Sequence, residues 1–326
     1  MTDKDYGISG VRLIAFILIV LCHFFQYYAI ELAWWFNVGV QIFLFVSGLL
    51  YGKKYVGKSI DGSGFIKGRL IKILVPYYLV VMAVTAIHVL GVHDLSKKDI
   101  LKALILNKNI PGGEHLWFVS TILMCYFLTI LYSFVTKENN KRFVVAVVLT
   151  VCGLFIFFTY FVKFYNAVWI ICYFFGFVYG TVEKRYPKSL LKINIVVIVL
   201  ASQNIIQIYL SYFNRMIDTE NEVYKIWCDF NHIWLGITLF WVLRYLFSRI
   251  NYSKHGLLEK VLYISDNYSY EAYLVHQFYI LGPLSLMGLT PFIPINIIIV
   301  IALILLSAFL LKQAEKLIFR FISIEL

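Results

Sequence analysis

Residues 143–161 read FVVAVVLTVCGLFIFFTYF, without one charged side chain. A helix needs about 20 mostly apolar residues to cross a hydrocarbon core of ~30 Å, and this run has that length. It is continuous rather than alternating, and barrel strands would be half as long, so a spanning helix is expected. The rest of the chain has the same character. Its 326 residues are 61% hydrophobic and 14% charged, with a mean hydropathy of +0.80. A soluble domain is nearer ~45–50% apolar and ~25% charged. No single core could bury so much apolar surface under so little charge. Soluble, disordered and disulfide-stapled proteins are thereby excluded, and an all-α integral membrane protein is expected.

Outward from that run, ten spans are expected, at 11–30, 34–51, 73–92, 116–135, 143–161, 167–182, 193–213, 230–248, 268–286 and 294–311. The weakest is 34–51, followed by 268–286, which carries Asn, Glu, His and Gln. Low apolarity in a span points to a helix facing the bundle interior. The first span lacks a small-residue cleavage site and runs on into Phe24-Phe25-Gln26-Tyr27-Tyr28, so it is expected to be retained. No internal repeat or linker stands out, and residues 1–326 are expected to form a single membrane domain with no soluble appendage.

The formal net charge is +11, which on a soluble protein would suggest nucleic acid. Here it reads as topology. With the N-terminus in the cytoplasm, 22 of the 29 Lys and Arg fall on the cytoplasmic side, leaving it at +12 and the outside at −1. The positive-inside rule then places both termini in the cytoplasm, with no nucleic-acid partner. The four lysines of the 93–115 loop are the main dissent. Five cysteines have no metal-like spacing; four lie in apolar runs and only Cys228 in an expected loop. No metal site is expected.

Ionisable groups at membrane depth are costly and face a cavity or a partner. Arg12 and His23 are eleven residues apart, about 20° past three helical turns, so they share a face at a separation of ~16 Å. Arg12 is expected at the cytoplasmic mouth and His23 beyond the midplane. An anchoring Arg and a packed core His would account for them equally well. Lys67, Arg69 and Lys72 precede Pro76-Tyr77-Tyr78. Arg69 and Lys72 share a helix face, and their charges suit phosphate; simple positive-inside anchoring is the plainer account. Pro111-Gly112-Gly113 reads as a turn presenting Glu114, His115 and Trp117 near the outer interface. Trp117 there fits either an aromatic belt or a carbohydrate platform. In the ninth span Ser269, Tyr273 and His276 lie on one stripe, as do Asn37 and Gln41 in the second. Such stripes are expected to turn inward, toward a common, partly hydrated passage. GxSxG, HExxH and Walker patterns are absent.

Taken in order, these segments resemble the acyltransferase 3 family of integral membrane acyltransferases. The segment ISGVRLIAFILIVLCHF (8–24) is similar to the family's opening Arg-x10-His pattern, at Arg12 and His23. QIFLFVSGLLY (41–51), FIKGRLIKILVPYY (65–78), HLWFVSTILMCYF (115–127) and YSYEAYLVHQF (268–278) resemble its later elements. Two departures are Lys67-Gly68-Arg69, where the family often has consecutive arginines, and Lys72, often Arg. The resemblance implies transfer of an acyl group, usually acetyl from acetyl-CoA, to a hydroxyl of a cell-surface or lipid-linked glycan in a bacterial plasma membrane. It implies His23 as the catalytic base, Arg12, Arg69 and Lys72 as acyl-CoA-binding residues, and Glu114, His115, Trp117, Tyr273 and His276 as acceptor-positioning residues. Acetyl-CoA would be a donor substrate, with no resident cofactor. The expected partners are the bilayer, acyl-CoA and the glycan, with homo-oligomerisation left open. The alternative is a transporter or exporter of a polysaccharide or small solute, since helices with a polar interior serve that too.

Overall fold

The computed structural model describes residues 5–58, 60–87, 96–106, 110, 112–137, 141–162, 168–213, 221–252 and 256–321. Among them there are helices and no strands. In chain order the helices are α1 (Tyr6–Tyr27), α2 (Ala33–Phe36), α3 (Val38–Tyr55), α4 (Gly62–Ile87), α5 (Lys97–Leu104), α6 (Trp117–Lys137) and α7 (Lys141–Ile156). They continue with α8 (Trp169–Arg185), α9 (Leu190–Ala201), α10 (Gln203–Phe213), α11 (Glu222–Ser248), α12 (Gly256–Ile280) and α13 (Ile293–Phe321). Short 3-10 turns, Glu114–Leu116 and Pro187–Ser189, lead into α6 and α9.

Among the described residues, seven helical stretches are long and apolar enough to cross a membrane: 6–27, 33–55, 62–87, 114–133, 187–212, 222–248 and 293–321. The chain is an integral membrane protein. The three other expected spans also fall on helices, but on shorter or more polar ones. The 143–161 run lies in α7, Lys141–Ile156, and its continuation Phe157–Phe161, which widens to a π-helix. The expected 167–182 span is α8, which carries Glu183, Lys184 and Arg185 in its last turn. The expected 268–286 span begins earlier and ends at Ile280. Pro283 explains the early stop, because it donates no backbone hydrogen bond and disfavours helical geometry at Gly282.

Other boundaries moved for equally local reasons. α11 starts at Asn221, whose side chain accepts from the backbone N–H of Val223 (2.9 Å) and Tyr224 (3.3 Å). Cys228 is therefore buried in a helix and not in a loop, and all five cysteines are free. The 93–115 segment, expected as a loop, contains α5. Ser96 caps it by accepting from Asp99 N–H at 3.1 Å, and its residues divide into Lys and apolar faces. Lys108 and Pro111 lie outside the described residues.

The chain forms two compact units. The first comprises Met1–Ala15, Asn37–Gly62 and Met124–Asn251. Its most extensive helix pair is α3 against α8. Gly48 and Gly52 on α3 meet Gly176 and Gly180 on α8 in reciprocal fashion. A Cβ on Gly48 would stand 2.0 Å from the Tyr173 carbonyl oxygen, and one on Gly176 2.1 Å from that of Phe45. Both helices carry Gly-x-x-x-Gly, the spacing that lets helix backbones touch where apolar burial gives no driving force. One end of this unit is tied by ions: Arg244 donates to both Glu183 oxygens (3.0 and 3.1 Å) and to Asp5 (3.2 Å), and Lys53 pairs with Glu183 at 2.6 Å. The charge count expects Lys53 and Arg244 on the same side of the membrane. Gln41 is buried in this unit.

The second unit comprises Phe16–Phe36, Ser63–Leu123 and Tyr252–Leu326. α12 packs on α13, and the pair holds an ionic triad. Lys312 Nζ lies 2.9 Å from Glu271 Oε1 and 3.0 Å from Glu315 Oε2, and the two carboxylate residues are only 2% and 3% exposed. Tyr77 and Tyr78 donate to the carbonyls of Ala103 (2.8 Å) and Leu104 (3.0 Å), fastening α5 to α4. The turn between α12 and α13 is fixed by the buried Asn296, whose amide donates to Met287 and Thr290 carbonyls at 2.8 Å each. Lys312→Met leaves two buried carboxylates without their cation, and breaking a buried pair costs about 3 kcal/mol or more. The expected outcome is a clearly lower thermal midpoint for the purified protein in detergent, with Lys312→Arg closer to the native value.

Candidate active site

Three helices of the second unit bring three histidines together. His23 lies on the last turn but one of α1, His115 in the turn that opens α6, and His276 near the end of α12. Ring centroids of His23 and His276 are 4.9 Å apart, those of His115 and His276 4.9 Å, and those of His23 and His115 6.5 Å. His276 is 0% exposed and His115 3%, whereas His23 is half-buried. Of the three rings, His23 is the one reached from outside.

Each ring has one nitrogen assigned. His276 Nδ1 is 2.6 Å from the Tyr273 carbonyl, His115 Nε2 is 3.1 Å from the Leu274 carbonyl, and His23 Nδ1 is 2.7 Å from Gln26 Oε1. All three oxygens accept only, so each of these nitrogens carries the proton. The opposite nitrogen of each neutral ring then presents a lone pair. Among the described residues His276 Nε2 and His115 Nδ1 are buried with no hydrogen-bond partner. No group of three or more metal-ligating side chains has metal-site geometry among those residues.

The turn that carries His115 is clamped from α12. Gln277 Oε1 accepts from the His115 backbone N–H at 3.1 Å, and Gln277 Nε2 donates to Glu114 Oε2 at 2.8 Å. The second Glu114 oxygen accepts from Gly112 N–H at 3.0 Å. Tyr273 donates its hydroxyl to the His115 carbonyl. Gly112 has φ +76°, and a Cβ there would lie 2.3 Å from Pro283 Cδ, so the turn requires glycine on both counts. Aromatic rings line the cluster: Phe278 stands 5.5 Å from His115, and Phe118 5.2 Å from Tyr273.

The structure therefore joins His23, Glu114, His115, Tyr273 and His276, all five expected from the sequence. Ser269 and Tyr273 are buried with His276, as their common stripe implied. Trp117 is half-buried and packs edge-on against Phe118, with centroids 6.2 Å apart. Arg69 and Lys72 stand elsewhere in the unit. They lie on α4 before Ile73, whose carbonyl accepts from Tyr270 at 2.9 Å, and Tyr270 is six residues or ~9 Å along α12 from His276. Arg69 rests over the Phe65 ring at 5.7 Å. Arg12 belongs to the first unit and stands on α1 three residues, less than one turn, before that unit's boundary at Ala15. Two residues had been missed. Gln26 follows His23 by three on the helix, a spacing readable in the sequence; Gln277 adjoins His276, but nothing local shows that it reaches Glu114 and His115.

Against this geometry the family comparison is decisive: a family described as an acyltransferase domain matches residues 5–312, nearly the whole chain. The chain belongs to the acyltransferase 3 family. No curated protein sequence and no solved structure matches it.

Gln277→Leu removes both halves of the clamp. Hydrogen bonds between membrane helices are worth ~1 kcal/mol each, so the expected loss is about 1–2 kcal/mol. It is checked as a lowered thermal midpoint of the purified protein in detergent.

Proposed function

We propose that this acyltransferase 3 protein transfers an acyl group, most simply acetyl, from acyl-CoA to a hydroxyl of an extracytoplasmic glycan in the bacterial cell envelope. The observation that carries the proposal is the pairing of a half-buried His23, its Nδ1 proton fixed by Gln26, with the fully buried His276 at 4.9 Å. A histidine with its Nδ1 proton fixed offers Nε2 as a base, and imidazole is the side chain best matched to that task near neutral pH.

In this proposal His23 Nε2 takes the proton of the acceptor hydroxyl as the oxygen attacks the thioester carbonyl carbon. The tetrahedral intermediate collapses with cleavage of the C–S bond, and the imidazolium returns the proton to the thiolate. An ester and free CoA thiol result, with no net change in protons. The unpartnered Nε2 of His276 places lone-pair density beside the ring that becomes positive, which favours the imidazolium. Glu114 and Tyr273 are already engaged by the turn, so they act by holding His115 in place, and Trp117 remains the candidate platform for a sugar face.

Arg12, Arg69 and Lys72 are proposed to hold the phosphates of CoA, the first through the forked geometry of its guanidinium. The positive-inside count supports a cytoplasmic mouth for these cations and an extracytoplasmic face for the histidines.

Removing a general base typically costs 10²–10⁴-fold in rate. His23→Ala is expected to lower acyl transfer from radiolabelled acetyl-CoA in membrane vesicles by about that factor at unchanged expression. Retained activity would rule out the role of His23. Arg12→Ala is expected to raise the apparent KM for acetyl-CoA with a smaller change in kcat, and an unaltered KM would remove Arg12 from the donor site. Mass spectrometry of surface glycans tests the reaction class itself. Loss of an ester-linked acetyl on deletion supports the enzyme, whereas unmodified glycan held in the cytoplasm supports an exporter.

A further inference from the structure

The first unit contains a cavity of about 370 Å³ that the proposed reaction does not use. It runs along the seam of α8 and α9. α9 contributes Lys192, Val196 and Leu200, and α8 contributes Phe175, Val178 and Val182. Both sets recur at helical spacing, so each forms one wall. From Lys192 to Leu200 the groove is ~12 Å long. Val196 and Lys192 are exposed on its outer side, toward the space that hydrocarbon fills around a membrane helix.

The two ends differ chemically. At one end Trp234 of α11 stacks on Phe175, with centroids 5.3 Å apart and planes 26° from parallel. Midway, the Tyr179 hydroxyl donates to Asn194 Oδ1 at 3.1 Å, which ties the walls together and leaves the lining apolar. At the other end, where α8 passes through Pro187–Ser189 into α9, the chain carries Lys184, Arg185, Lys188 and Lys192. The one acid there, Glu183, is already held by Arg244 and Lys53. Lys188 and Lys192 are exposed beside the groove's mouth.

A narrow apolar slot ending at a cationic rim, on the lateral face of a membrane unit, matches one ligand chemistry: a hydrocarbon chain with an anionic head. We infer that the α8–α9 groove is a binding site for an anionic glycerophospholipid of the surrounding bilayer. One acyl chain lies between Val178 and Val196, and the phosphate sits at Lys192 and Lys188. A zwitterionic lipid has a chain for the slot but no net charge for the rim. The Phe175–Trp234 stack sets the depth to which the chain enters. Occupancy would fill the gap between two helices that otherwise touch at their short connection and through Tyr179.

The test uses the full chain purified in a non-ionic detergent, delipidated, and mixed with equal amounts of phosphatidylglycerol and phosphatidylcholine of the same acyl composition. Native mass spectrometry counts the lipids retained. Each lysine near a headgroup favours an anionic lipid several-fold, so one phosphatidylglycerol is expected to be retained about 10-fold more than phosphatidylcholine. Lys192→Glu together with Lys188→Glu should bring the two lipids level. Val196→Trp should abolish retention of both while helicity by circular dichroism is unchanged. Leu200→Phe, a smaller filling of the same slot, serves if the tryptophan variant loses helicity. Equal retention by the native chain, an unaltered preference in the lysine variant, or full retention in the filled variants would overturn the inference. So would displacement of the lipid by palmitoyl-CoA at lower concentration, which would reassign the groove to the acyl donor.

Discussion

A polar side chain inside hydrocarbon has no water to fall back on, and the second unit is organised around that constraint. His23, His115 and His276 each give one ring nitrogen to an oxygen that can only accept. Two of those oxygens are backbone carbonyls of α12 itself, at Tyr273 and Leu274, so the same helix that delivers His276 also fixes the tautomer of His115. With the proton positions fixed, the lone pairs of the three rings are fixed too, by one side-chain amide and two backbone carbonyls. The clamp of Gln277 and Tyr273 serves the same end at the backbone, since it holds the turn on which His115 stands.

The sequence carried most of the site because membrane cost makes its polar residues conspicuous. Arg12 and His23 stand out in a run of apolar side chains, and Ser269, Tyr273 and His276 declare one face of a helix by their spacing. What escaped notice depends on contacts between distant segments. Gln277 is 162 residues from the backbone amide it caps, and periodicity holds no information about such a pairing. The ionic triad is a similar case. Glu271 lies within one expected span and Glu315 beyond the end of another; only the packing of α12 on α13 gives them a shared lysine.

Fold boundaries divide along the same line. Runs of apolar residues located the helices, but their ends were set by devices of one or two residues: the Asn221 cap, the Gly282–Pro283 stop and the Ser96 cap of α5. The span reading gave weight to hydropathy and passed over these. Cys228 moved from loop to helix on the strength of one cap. The run at 143–161, the clearest in the chain by composition, is helical throughout, with its last turn widened to a π-helix.

The glycine seam of α3 and α8 bears on how freely this protein can vary. Where side chains meet side chains, a large residue can shrink and its neighbour grow, and the volume is conserved. Where Gly48 faces the Tyr173 carbonyl and Gly176 that of Phe45, backbone meets backbone and there is no partner whose trimming would make room. A lineage can therefore exchange almost any lipid-facing residue of these helices, but the four glycines admit no compensated path away from themselves. The seam is a fixed point about which the remainder of the unit can drift.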